Sequence, residues 1–117
     1  MSDPRVRHVR VETTTDSREA ALALASSAVQ GRLAACAQVN GPITSVYQWQ
    51  GTIENDEEWL VVLKTPQDRL SDLVAQLRTD HSYDVPEILA VPIVDGNPAY
   101  LEWLHDETRP DETRPAQ

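Results

Sequence analysis

The chain has 117 residues, with 10 Lys and Arg against 19 Asp and Glu, a formal net charge of -9 and an isoelectric point near 4.6. That length suits one domain. The charge balance opposes binding to a nucleic-acid backbone, which needs clustered cations, and the single cysteine, Cys36, excludes an intramolecular disulfide. The opening Met1-Ser2-Asp3-Pro4-Arg5 is followed by no apolar run, and nothing approaches the roughly 20 apolar residues that span a bilayer. A soluble cytoplasmic protein without membrane or nucleic-acid partners is expected, and one free thiol agrees with a reducing compartment.

Val9 and Val11 alternate with Arg10 and Glu12 ahead of Thr13-Thr14-Thr15, which predicts a first strand over residues 6–14. Asp16 stands three residues before Glu19, a capping-box spacing for a helix. Ala21, Leu22, Ala25, Ala28, Val29 and Leu33 would share its apolar face, with Gly31 as the stop. Residues 33–39 then read as the start of a second strand that is interrupted at Asn40-Gly41-Pro42 and resumes at Ile43. Tyr47 and Trp49 point one way and Val46 and Gln48 the other, and Gly51 with Glu54, Asp56, Glu57 and Glu58 marks a solvated hairpin tip. The chain returns as the apolar run 59–63, of the kind found in a covered central strand.

Thr65-Pro66 predicts the cap and first position of a second helix, with Asp68 in its first turn. Leu70, Leu73, Val74 and Leu77 supply its stripe. A last strand runs over 86–94, and Pro92 within it demands an edge or a bulge. Asp95-Gly96 turns the chain, and Asn97-Pro98 caps a short helix with Tyr100, Leu101, Trp103 and Leu104. The repeated Asp-Glu-Thr-Arg-Pro from Asp106 to Pro115 reads as a disordered tail, so residues 1–105 form the domain and 106–117 the tail.

The resulting order, β-α-β-β-α-β plus a terminal helix, is the α+β, ferredoxin-like arrangement, with helices on one face of an antiparallel sheet. Its other face would remain partly wet in a monomer, so self-association is expected.

Four glycines, at 31, 41, 51 and 96, allow neither a dinucleotide fingerprint nor a P-loop. No C-x-x-C, H-E-x-x-H or EF-hand spacing occurs. Cys36 lies among small apolar residues and reads first as a packed thiol. His81, beside Asp80 and ahead of Ser82-Tyr83-Asp84, reads either as a divalent-ion corner or as a histidine that ends the second helix. Lys64 is the only lysine. It suggests a partly buried ion pair with Glu87 or a cation aimed at a pocket. A Cys36 nucleophile with a His81 base would lack both an oxyanion hole and a third orienting group, so no enzyme is expected.

Five stretches resemble the CutA divalent-cation tolerance proteins: Gly31-Arg32-Leu33-Ala34-Ala35-Cys36, Ser45-Val46-Tyr47-Gln48-Trp49-Gln50-Gly51, Leu63-Lys64-Thr65, His81-Ser82-Tyr83-Asp84-Val85-Pro86-Glu87-Ile88 and Tyr100-Leu101-Glu102-Trp103-Leu104. They come in family order across residues 6–105. The resemblance implies a tight homotrimer similar in architecture to the PII signal proteins, and a role in tolerance of divalent metals, notably copper. It also implies a ligand pattern, a cysteine ending the first strand and two histidines after the second helix. This chain departs from it with Thr13 and Asp80, leaving His81. Such a mixture suits Cu(II), Zn or other divalent ions, and the metal set it suggests is His81 and Asp80 with Cys36 or Glu87 from across a subunit boundary. No organic cofactor is expected. The other function the resemblance allows is a PII-like signalling or interaction module, whose inter-subunit clefts, lined by Tyr47, Trp49, Lys64 and Tyr83, bind a small molecule or a partner protein.

Overall fold

In the computed structural model, which describes residues 7–110, four strands form one antiparallel sheet in the order β2-β3-β1-β4. The chain runs β1 (His8–Thr15), α1 (Arg18–Gln30), β2 (Cys36–Trp49), β3 (Thr52–Pro66), a 3-10 turn (Gln67–Arg69), α2 (Leu70–Asp80), β4 (Ile88–Ile93) and α3 (Pro98–Asp106). This is the ferredoxin-like α+β topology expected from the sequence. Val9, Val11, Val61 and Leu63 of the central strands meet Ala21, Leu24, Ala25, Ala28, Leu73 and Leu77 of the helices in one core. The alanines of α1 let its backbone lie close to the sheet, while leucines of α2 fill the remaining depth.

Several local expectations change. The cap of α1 is Ser17, whose hydroxyl accepts from the Ala20 N–H at 3.0 Å, one residue after the expected Asp16. Leu24 rather than Leu22 or Val29 reaches the core, because the buried stripe is turned toward 21, 24, 25 and 28. Gly31 does follow the last helical residue, but the left-handed residue is Arg32, with φ 58. Thr65 and Pro66 end β3 instead of starting α2. The Thr65 hydroxyl is buried and donates to the Leu33 carbonyl at 2.6 Å, so its partner is a loop across the sheet and not a helix N–H.

The expected break in β2 is a shift in the β2–β3 register between Asn40 and Ile43. A methyl group on Gly41 would lie 2.5 Å from the Trp59 ring, so only glycine lets the indole close over this kink. Beyond it, β2 and β3 continue as a hairpin arm to a two-residue turn at Gln50 (φ 50) and Gly51 (φ 84), the geometry that matches strand twist. The acids 54–58 therefore belong to β3 and not to the tip, which corrects the expectation of a wholly solvated cluster. β4 is an edge strand, as Pro92 requires.

Asn97 caps α3 by accepting from the Ala99 N–H at 3.1 Å, with Pro98 at its first turn. Packing continues past residue 105: Thr108 is fully buried, and Arg109 makes a bidentate pair with Asp68, both bonds 2.7 Å. Residues 106–110 are thus attached to the domain, while positions 111–117 of the expected tail lie outside the described residues. Among the described residues no helix is long and apolar enough to cross a membrane.

Candidate functional site

Two groups of polar side chains stand out, and strand register separates them. The first spans the root of the hairpin arm and the connection from α2 to β4. Here His81, directly after α2, is 8 % exposed. Its Nε2 lies 2.8 Å from the Thr14 carbonyl, and its Nδ1 accepts from the Tyr83 N–H at 3.1 Å. A carbonyl accepts only, so Nε2 carries the proton and the ring is the neutral Nε2–H form. Both nitrogens are committed to backbone, and the ring as folded has no lone pair free for a cation. Tyr83 packs on it with ring centroids 4.8 Å apart and donates its hydroxyl to Glu58 Oε2 at 2.9 Å. Burial, followed by the Glu58 bond, pushes the Tyr83 phenol well above its ordinary value. On the arm, Tyr47 donates to Asp56, which raises the Tyr47 phenol from 10.0 to about 12.

The second group lies where β2 begins and β3 ends. Cys36 and Lys64 are cross-strand neighbours, and Arg10 continues the row on β1. Lys64 Nζ donates to Gln38 Oε1 at 3.1 Å and stands 5.9 Å from the centre of the Tyr100 ring on α3, within cation–π range. Desolvation, with Cys36 alongside, pushes the Tyr100 phenol up. Lys64 has no carboxylate partner among the described residues, so the expected Lys64–Glu87 pair does not form. Lys64 stands six positions along β3 from Glu58, about 20 Å at the rise of an extended strand.

The structure therefore divides the residues singled out in the sequence. Tyr47 and Tyr83 share the Asp56–Glu58 face of β3, Trp49 stands exposed at the arm's end, and Lys64 belongs to the distant Cys36 group. Cys36 aligns with Lys64, Arg10 and Val91 across the sheet, whereas Glu87 precedes Ile88, which faces Thr13. Asp80 is exposed and accepts from Ser27 Oγ at 3.1 Å. Within one chain Cys36, Asp80, His81 and Glu87 do not converge, and among the described residues no three His, Cys, Asp or Glu side chains form a metal-holding group. The role of Glu58 as partner to Tyr83 was not foreseen, since 25 residues separate the two and no local pattern joins them.

This geometry accompanies a close match to known proteins. Residues 9–107 match the CutA1 divalent ion tolerance protein family. The chain is 44 % identical over 108 residues to the chloroplastic protein CutA of Arabidopsis thaliana, covering 92 % of this chain and 59 % of that protein. It is 41 % identical over 95 residues to the divalent-cation tolerance protein CutA of Thermus thermophilus, covering 81 % of this chain and 92 % of the relative. The crystal structure of CutA1 from Oryza sativa superposes with a TM-score of 0.86 at 41 % identity, over 89 % of this chain and 95 % of that one. The chain belongs to the CutA1 divalent ion tolerance family, and it spans 59 % of the length of each of two plant relatives.

Proposed function

We propose that the protein serves divalent-cation tolerance as a homotrimer that binds divalent cations, copper among them. The observation that carries this is the family match across residues 9–107, which covers both the core and the arm. Two bare sheet edges, β2 and β4, favour a cyclic assembly. Pairing one copy's β2 with the next copy's β4 joins two different edges, the head-to-tail contact that closes into rings. The exposed Val46, Ile53, Leu89 and Val91 would then be buried against neighbours.

Because the described residues of one chain bring no three ligands together, coordination in this reading is completed between subunits. Cys36 offers a soft sulfur and Glu87 a free carboxylate, a pair compatible with copper or zinc. Asp80 adds an exposed carboxylate, and His81 joins only by giving up Thr14 or Tyr83. Titration calorimetry with Cu(II) and Zn(II) tests this. Wild type is expected to bind, Cys36→Ser to weaken copper by about tenfold or more, and His81→Ala to change affinity less than Cys36→Ser. Absence of heat with both ions would overturn it.

Lys64 supports a second reading, in which the clefts between subunits take a small anionic molecule. Among the described residues it is a cation hydrogen-bonded to a neutral amide and to no carboxylate. A thermal-shift screen of carboxylates and nucleotides tests this, since a ligand of the native state raises apparent stability. A ligand that also stabilises Lys64→Met to the same extent would exclude Lys64 from its site.

A further inference from the structure

A cavity of about 390 Å³ opens on the helical side of the molecule, between α1 and the end of α2. Its size falls among small-molecule sites, which run from about 300 to 1,000 Å³. Ala20, Ala23 and Ser27 line it from successive turns of α1, Thr15 from the end of β1, and Asp80 and Ser82 from either side of His81. None of the groups joined to Glu58 or Lys64 takes part.

The polar groups here are arranged asymmetrically. Gln76 Nε2 donates to Ser27 Oγ at 2.6 Å, and Ser27 Oγ donates to Asp80 Oδ2 at 3.1 Å. This relay fixes one oxygen of the carboxylate and leaves the other without a partner among the described residues. Asp80 is also the last residue of α2, where the helix dipole adds negative potential. Thr15, only 1 % exposed, has a hydroxyl with no hydrogen-bond partner among the described residues. Its oxygen is sealed off from the cavity, so a ligand there does not reach it.

One carboxylate cannot satisfy a hard divalent ion, which takes six or more oxygens, and an anion would be repelled. An ammonium needs a single carboxylate, and an aliphatic body needs the methyl-lined wall that the alanines provide. We infer that this pocket binds a small organic cation, a primary ammonium on a short aliphatic chain: Asp80 takes the charge and the alanines of α1 hold the chain. This site shares Asp80 with the metal reading above but does not depend on it.

The test is a titration of the isotope-labelled protein with pentylamine at fixed ionic strength, followed by backbone amide NMR. Saturable shifts are expected at Ala20, Ala23, Ser27 and Ser82. Asp80→Asn should weaken binding about tenfold or more, the scale of a lost charged hydrogen bond. Ala23→Leu, at an exposed helical position that tolerates leucine, should fill the pocket and abolish binding. 1-Pentanol and valerate should leave these amides unmoved. Shifts that rise without saturation and spread over the acidic surface would overturn the proposal, as would wild-type affinity in folded Ala23→Leu.

Discussion

The sheet beneath the helices and the hairpin arm share the long strands β2 and β3, yet they solve burial differently. In the first, Val61, Leu63, Leu73 and Leu77 are all essentially inaccessible and lie in one contiguous core. In the second, Val46 is 63 % exposed, Ile53 66 % and Trp49 55 %, with acids interleaved and two tyrosine–carboxylate bonds at the root. A chain that can bury its covered half so completely has no stability reason to extend an apolar arm into water. One region thus folds the chain, while the other leaves its apolar side chains facing water.

Truncation should separate the two most sharply. Leu73→Ala removes a fully buried side chain from the core and is expected to cost about 2–5 kcal/mol, read as a lowered midpoint in urea unfolding. Val46→Ala on the arm should move the stability of an isolated subunit by no more than about 0.5 kcal/mol, the usual effect at an exposed site. A similar cost at both positions would break the comparison.

At the boundary between the regions, Gly41→Ala should cost about 1–3 kcal/mol, an overpacking effect. The added methyl meets the Trp59 ring at 2.5 Å, so tryptophan fluorescence should change along with the unfolding midpoint.

Smaller effects belong to electrostatics. Arg109 holds the Asp68 carboxyl below its ordinary value, chiefly through their hydrogen bonds. A depressed carboxyl stabilises the fold above the unfolded value of about 3.9 and loses that contribution as pH falls through the lower folded value. Both side chains are substantially exposed, so Arg109→Ala should cost only about 0.2–1 kcal/mol near neutral pH. The difference from wild type should vanish in acid unfolding curves.

The smallest effect leaves stability aside. Ionising Tyr47 would place a phenolate beside Asp56 and forfeit its hydrogen bond, so ultraviolet titration should find it ionising near 12, with Asp56→Asn returning it toward 10.0.

Much of this architecture is legible in the residues. The Leu70–Leu77 stripe, the Asn97-Pro98 cap and the edge or bulge that Pro92 requires each follow from a local rule of period or backbone chemistry. The misread positions share one cause, a partner distant in sequence. Thr65-Pro66 has the form of a helix start, but the threonine hydroxyl finds Leu33 across the sheet. Acids at 54–58 look like a turn until the strands are seen to run on to Gln50 and Gly51. His81 beside Asp80 looks like a ligand pair, while packing gives its ring to Thr14 and Tyr83 and gives the carboxylate to Ser27. The Ala20–Ala23–Ser27 spacing is visible in the sequence, but its meeting with Asp80 depends on how α1 and α2 pack.

Sedimentation equilibrium of the wild-type protein decides whether the arm and the bare edges serve copies of the same chain. A homotrimer predicts three times 13.1 kDa, about 39 kDa. A folded species that stays at 13.1 kDa across the concentration range would contradict it.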